Sequence, residues 1–381
     1  MSNRFLHNII RSGCTVALAD GAGAPTTVCS DLSDLAREVG GVRLITGWLL
    51  KEPPGLDFSA FADVRTFMAG YGNAAGIDAG VVRYVPATVS QLPALLAGPW
   101  RPDVVIISAR PTARGLAFGS EVSWIATAVD NAEHCLVEVN EALPAAARIE
   151  LTKCRDTTVI AETNSSPISL ERPRKDEIIG RIGTHLAGLV PPGAAVQFGP
   201  GAVGEALVTA LDVPVQIDSG IVTDSVVDLD QRGLLLGAPL GTYLVGSRRL
   251  YEWADGRRIL DRIEVTHDAS RLSRGRLIAV NTALEIDLLG QVNVESLGAR
   301  RLAGAGGHPD YAMAGSRAVH GLSIIALPTV RRGRSTLVDR LRAPVSTPRW
   351  AVDIVVTEHG TADLRGLTDE ERTAAINALY R

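Results

Sequence analysis

Short apolar runs separated by polar or glycine-rich turns recur along the chain, and between them lie segments whose apolar residues return every three or four positions. Thr15–Leu18 and residues 42–49, 81–85, 104–108 and 136–140 read as strands, with residues 92–96 as a helix among them. After Leu18 the chain enters Asp20-Gly-Ala-Gly-Ala-Pro25, and Thr26 or Thr27 is expected to cap a helix running through Leu35. Asp176 is expected to cap a helix whose apolar face is Ile178, Ile179, Ile182, Leu186 and Leu189, stopped by Pro191-Pro-Gly193. Strands follow at residues 213–217, Leu277–Thr282, 322–327 and 352–357, and Thr368 with Glu371 forms a capping box for the last helix. Strand and helix alternating in this way predict an α/β fold of open, mainly parallel sheets.

The pattern breaks once. Between Asn164 and Asp176 apolar residues nearly vanish and prolines appear, which sets a domain boundary and divides the chain into residues 1–170 and 171–381. The start of the second half repeats the start of the first. Gly193 to Gly201 and Gly13 to Gly21 each read as a strand entering a glycine-bearing turn and then a helix, which suggests two halves of related fold.

Composition narrows the classes. At 381 residues the chain exceeds the usual size of one hydrophobic core, so two domains fit its length. Aromatics make up only 4%, leaving Val, Leu, Ile and Ala to fill buried parallel strands. With Lys+Arg 38 against Asp+Glu 42, the net charge of −4 supplies no basic surface for a phosphate backbone, and no nucleic-acid partner is expected. Cys14, Cys29, Cys135 and Cys154 lie far apart without metal-ligand spacing and read as buried free thiols in a reducing compartment. No apolar run approaches the roughly 18 to 20 residues that span a bilayer, and residues 1–11 lack a signal-peptide pattern. A cytoplasmic protein without a membrane or metal partner is expected.

Candidate chemistry concentrates between Gly199 and Gly307. Gly199-Pro-Gly-Ala-Val-Gly204, Ser219-Gly-Ile-Val-Thr-Asp-Ser225 and Gln291-Val-Asn-Val-Glu-Ser296, leading to Gly304-Ala-Gly-Gly307, each follow an apolar run. Such loops set bare amides and a few polar side chains at one edge of a sheet, where a small anion or carbonyl group can be held.

The stretch Asn281-Thr-Ala-Leu-Glu-Ile-Asp-Leu-Leu-Gly-Gln-Val-Asn-Val-Glu-Ser-Leu-Gly298, with Gly304-Ala-Gly-Gly307, Thr347-Pro-Arg349 and Thr357-Glu-His-Gly-Thr-Ala-Asp-Leu-Arg-Gly366, resembles the acetyl-CoA hydrolase/transferase family of class I CoA-transferases. The resemblance is densest from Gly193 onward and looser from Gly13 to Pro144. It implies two related α/β domains meeting at a cleft, coenzyme A as substrate or product, a carboxylic acid as second substrate, and a homodimer. It also implies a glutamate nucleophile that forms a glutamyl-CoA thioester. At that position this chain has Gly220, in Gly220-Ile-Val-Thr-Asp224, and glycine has no side chain to carry a covalent intermediate.

The resemblance carries Asn293 to the active-site edge as an orienting amide, and Gly199, Gly201, Gly306 and Gly307, with Gly304, to amides that face an oxyanion. His308 stands where the family mostly has glutamine and serves either as a general base for water or as a plain hydrogen-bonding group. Glu295 and Asp224 are carboxylates near these loops, as replacements for the glutamate or as loop supports, Asp224 as a helix cap. Asp218 and Ser219 would be displaced nucleophiles. Arg331 opens an Arg-rich turn that either meets CoA phosphates or faces solvent. The function expected is acyl-CoA processing without the glutamyl thioester, by hydrolysis or direct transfer. The alternatives are a non-catalytic CoA-binding or regulatory homologue, or a CoA-transferase with a relocated nucleophile.

Overall fold

The computed structural model describes residues 3–151 and 156–381 of the chain, so Cys154 lies outside the described residues. Two compact units form. The first comprises Met1–Leu170, Thr242–Glu264 and Arg301–Gly306, and the second Glu171–Gly241, Val265–Arg300 and Gly307–Arg381. The chain therefore returns twice to the first unit after leaving it at Leu170.

The sheet of the first unit runs in the order Val82–Tyr84, Asp63–Thr66, Arg43–Thr46, Thr15–Leu18, Val104–Thr112, His134–Asn140 and Asp156–Thr163, all parallel, with Gly115–Ala117 folded back antiparallel on Val104–Thr112. Strand order reverses beside Thr15–Leu18, which makes the loop after Leu18 a switch-point crevice. Every residue of Thr15–Leu18 is buried, as a strand covered on both faces requires. Leu6, Leu32 and Leu35 pack with Leu44, Ile106 and Leu136 into one core.

The second unit repeats the plan. Its sheet runs Gln216–Ile217, Ala195–Phe198, Leu277–Thr282, Leu322–Ala326, Ile354–Thr357 and Gly360–Asp363, parallel except for the last strand. Order reverses beside Ala195–Phe198, so the loop opening at Gly199 holds the place that Asp20 to Gly23 holds in the first unit. Ile286, Val292, Ile325, Val355, Leu364 and Ile376 form a core on one side. Helix Asp369–Ala378 begins at the expected reciprocal box, with Glu371 N donating to Thr368 Oγ1 at 3.3 Å and Thr368 N to Glu371 Oε2 at 2.8 Å.

Several local expectations fail for identifiable reasons. The helix after Pro25 starts only at Cys29, behind Val28, without a side-chain cap. Thr26 N, Thr27 N and Thr27 Oγ1 all donate instead to the buried Glu138 carboxylate. The second strand is Arg43–Thr46 rather than residues 42–49 because Trp48 N turns to donate to Asp20. Ile178 is exposed, and the buried face of helix Glu177–Ala187 is Ile182, Gly183 and Leu186. Asp176 does cap that helix, accepting from Ile179 N at 3.0 Å. Cys29 and Cys135 are buried, but Cys14 is only half-buried. No helix among the described residues is long and apolar enough to cross a membrane.

Candidate active site

The second unit assembles most of the candidate residues at the ends of its parallel strands. Gly201, at φ 132, starts helix Ala202–Ala210, and a Cβ on Gly204 would overlap the Gly199 carbonyl oxygen. The loop is thus folded tightly against the helix start, while the Cβ position of Gly199 is open. Ser219 Oγ donates to Phe198 O at 2.9 Å and ties the end of strand Gln216–Ile217 to Ala195–Phe198. Asp218 receives both terminal nitrogens of Arg271, at 2.5 and 3.0 Å. These commitments leave Asp218 and Ser219 as structural groups.

Gly220 follows directly. Its φ is not positive, so glycine is not required there by backbone conformation. A Cβ on Gly220 would lie 3.3 Å from Cε1 and Nε2 of His267 and 3.7 Å from Tyr311 Cε2. Residue 220 is therefore bordered by an imidazole that the sequence analysis did not single out. Nothing in Thr266-His267-Asp268 distinguishes it from any lone histidine; only the fold brings it to Gly220. The His267 ring packs edge-on against Tyr311 with centroids 4.9 Å apart, and its Nδ1 lies 2.8 Å from Thr266 Oγ1. Burial, reinforced by the Arg271 guanidinium, pushes its pKa down to about 3. Arg271 fixes the backbone under it, with Nε donating to Val265 O at 2.8 Å and Nη2 to Thr266 O at 3.2 Å.

Asp224 is the first residue of helix Asp224–Gln231 and is buried there; the N-cap is Thr223, which corrects the assignment of Asp224 as cap. Thr223 Oγ1 donates to Glu205 Oε1 at 3.0 Å. Gly307 is the N-cap of helix His308–Arg317, and a Cβ on it would overlap Nε2 of His267. His308 is half-buried, its Nε2 enclosed without a hydrogen-bond partner, and burial pushes its pKa down to about 4. Both histidines are neutral at neutral pH.

Asn293 is fully buried. Its Nδ2 donates to Glu285 Oε2 at 2.9 Å and Ser296 O at 2.6 Å, while its Oδ1 accepts from Glu295 N at 3.0 Å and Ser296 N at 3.2 Å. Two donor hydrogens and two acceptor lone pairs are all an amide has, so Asn293 pins its own turn. Glu295 is buried beside it and accepts from Ser346 Oγ at 2.8 Å. Gly304 and Gly306 belong to the first unit, where a Cβ on Gly304 would come 2.5 Å from Phe67 O and one on Gly306 2.8 Å from Met68 Cε. Close packing explains Gly304, and a φ of 59 explains Gly306, within that unit. Arg331 sits in a hairpin with Arg334, half-buried and without a carboxylate partner among the described residues; burial and the neighbouring Arg332 lower its pKa. No group of three metal-ligating side chains occurs among the described residues.

The first unit carries a second polar cluster at its own switch point. Asp20 Oδ1 accepts from Tyr243 Oη at 2.9 Å, and its Oδ2 accepts from Trp124 Nε1 at 2.9 Å and from Trp48 N. Glu121 accepts from Ser120 Oγ at 2.8 Å and Gly23 N at 3.2 Å. Burial pushes the Asp20 carboxyl up to about 6 and that of Glu121 to about 7, the latter aided by the charge of Asp20.

Two parallel sheets of this plan define an α/β protein of the CoA-transferase class of folds. The crystal structure of RipA from Yersinia pestis superposes with TM-score 0.88 at 24% identity, covering 100% of this chain and 96% of that one. A 4-hydroxybutyrate CoA-transferase from Porphyromonas gingivalis gives TM-score 0.79 at 21% identity, covering 100% and 93%. Residues 246–379 of this chain match the acetyl-CoA hydrolase/transferase C-terminal domain. Among its relatives, the 4-hydroxybutyrate coenzyme A transferase of Clostridium kluyveri is 28% identical over 320 residues, 79% of this chain and 75% of the relative. The acetyl-CoA hydrolase of Saccharomyces cerevisiae is 34% identical over 119 residues, 29% of this chain and 22% of the relative.

Proposed function

We propose that this protein processes acyl-CoA thioesters without a glutamyl-CoA intermediate, the thioester being attacked directly by water or by the carboxylate of an acceptor acid. The observation that carries the reading is Gly220, which the sequence resemblance sets at the family's nucleophile position and which borders the His267 imidazole, in a chain whose residues 246–379 match the family's C-terminal domain. Neither water nor a carboxylate needs a side chain at residue 220 in order to react. Coenzyme A enters as substrate or product, and Arg331, a half-buried cation without a carboxylate partner among the described residues, suits a phosphate group.

Calorimetry with CoA, acetyl-CoA, butyryl-CoA and succinyl-CoA, coupled to mass spectrometry of the mixtures, tests this. Binding, with free CoA or exchanged acyl-CoA and no protein adduct, is expected. Absence of heat and of thermal shift with all four ligands refutes acyl-CoA processing, and a glutamyl or aspartyl CoA adduct refutes direct attack.

A further inference from the structure

His267 lies beneath two bare Cα positions. It is 4% exposed, whereas Gly220 and Gly307 above it are half-exposed. Any side chain at either position would meet Nε2, at 3.3 Å from a Cβ on Gly220 and in overlap with one on Gly307. The ring is held by Thr266 Oγ1 at Nδ1, by its edge contact with Tyr311, and by Arg271, which fixes the carbonyls of Val265 and Thr266. A flat group laid over the two glycines therefore meets an imidazole nitrogen that cannot swing away.

The chemistry this nitrogen can perform follows from its environment. A ring so hard to protonate is a poor general base near neutrality, because base catalysis is most effective when the pKa lies near the working pH. A neutral imidazole of depressed pKa is a good hydrogen-bond donor to an oxyanion. Thr266 Oγ1 lies 2.8 Å from Nδ1, and in the tautomer in which that hydroxyl donates, the ring proton resides on Nε2, toward Gly220 and Gly307.

We propose that His267 is a catalytic residue whose Nε2–H donates to the thioester carbonyl oxygen of an acyl-CoA and stabilises the oxyanion formed when an acceptor carboxylate attacks. This inference rests on the acyl-CoA reading above. The carboxylate oxygen forms a bond to the carbonyl carbon, and the carbonyl π electrons move to the oxygen held by Nε2–H. Collapse re-forms the carbonyl and breaks the C–S bond, giving a mixed anhydride and CoA thiolate. The thiolate then attacks the acceptor's carbonyl in that anhydride and expels the donor acid as its carboxylate. CoA has changed partners with no net gain or loss of protons, so no general base is called for.

The test measures CoA exchange between acetyl-CoA and butyrate or succinate in wild type, His267→Ala and His267→Gln. His267→Ala is expected to lower kcat about 100- to 1,000-fold, the usual effect of removing an oxyanion donor, with the acetyl-CoA KM changed by less than about threefold. His267→Gln keeps an N–H donor but has no basic nitrogen, and is expected to stay within about tenfold of wild type. A His267→Ala enzyme with unaltered kcat, or a Gln variant as impaired as Ala, overturns the proposal. Should the Ala variant not fold, wild-type protein with 15N-labelled histidine is titrated with a ketone analogue of acetyl-CoA in which CH2 replaces sulfur. A downfield shift of the His267 Nε2–H resonance supports the donor role, and an unmoved resonance at saturation overturns it. Wild-type protein that neither binds the analogue nor consumes any acyl-CoA refutes the parent reading instead, so the two failures are distinguishable.

Discussion

Replacing Glu121 by glutamine should abolish much of the pH dependence of the first unit's stability. Glu121 and Asp20 are both buried, and three glycines make room for them: a Cβ on Gly21 or Gly23 would press on Glu121, at 2.7 and 2.8 Å, and one on Gly47 would overlap Asp20. The Glu121 carboxyl rises from 4.5 to about 7 on folding. Because the folded-state value is the higher one, the unfolded chain loses its proton first as pH rises. Between about pH 4.5 and pH 7 the folded state binds more protons, so stability falls with rising pH across that window and levels off above it. At 1.36 kcal/mol per unit the loss is about 3 kcal/mol for Glu121, an order-of-magnitude figure, with a similar one for Asp20. Glutamine keeps an oxygen for Ser120 Oγ and Gly23 N and carries no charge. Urea titrations followed by tryptophan fluorescence suit the region, since Trp48 and Trp124 both donate to Asp20. The stability of Glu121→Gln relative to wild type should grow by about 3 kcal/mol between pH 5 and pH 8. Parallel stability curves would falsify the assignment of a raised, burial-driven pKa to this carboxyl.

Asn293→Ala removes four hydrogen bonds from a buried turn and strands Glu285 and the Ser296 carbonyl, so a loss of about 2–3 kcal/mol is expected by thermal or urea denaturation; an unchanged midpoint would return Asn293 to a purely ligand-facing role. Gly220→Glu alone should be strained against His267, by about 1–3 kcal/mol, and form little borohydride-trappable glutamyl-CoA, whereas Gly220→Glu with His267→Ala should form more. Equal adduct in both variants would show that the imidazole does not limit the space at residue 220.

Much of the framework was legible because it depends on local pattern. Thr15–Leu18 and Leu277–Thr282 carry the unbroken apolar runs Val16–Leu18 and Leu277–Val280 and fold as the strands they predict. The Thr368 and Glu371 box needs only residues three apart. What escaped depends on partners remote in sequence. Thr27 gave its groups to Glu138, more than a hundred positions away, and the helix began later without them. Trp48 left its strand for Asp20. The stretch Thr242–Glu264 rejoins the first unit, bringing Tyr243 to Asp20, although no break in composition marks it. Asn293, expected as an orienting amide at the active-site edge, is buried and spends its hydrogen-bonding groups on Glu285, Glu295 and Ser296 across its own turn.

The glycines show why the site was harder to read than the fold. In the sequence Gly204, Gly220 and Gly307 look alike, each a small residue in a polar loop. In the structure Gly204 admits the Gly199 carbonyl and serves only its own loop, whereas Gly220 and Gly307 meet the same imidazole nitrogen from positions 87 residues apart. A Cβ at residue 220 would lie 3.3 Å from His267 Nε2, so a side chain there would crowd the imidazole. Glycine at 220 therefore leaves room beside the His267 imidazole, whose ring is held by Thr266, Tyr311 and Arg271.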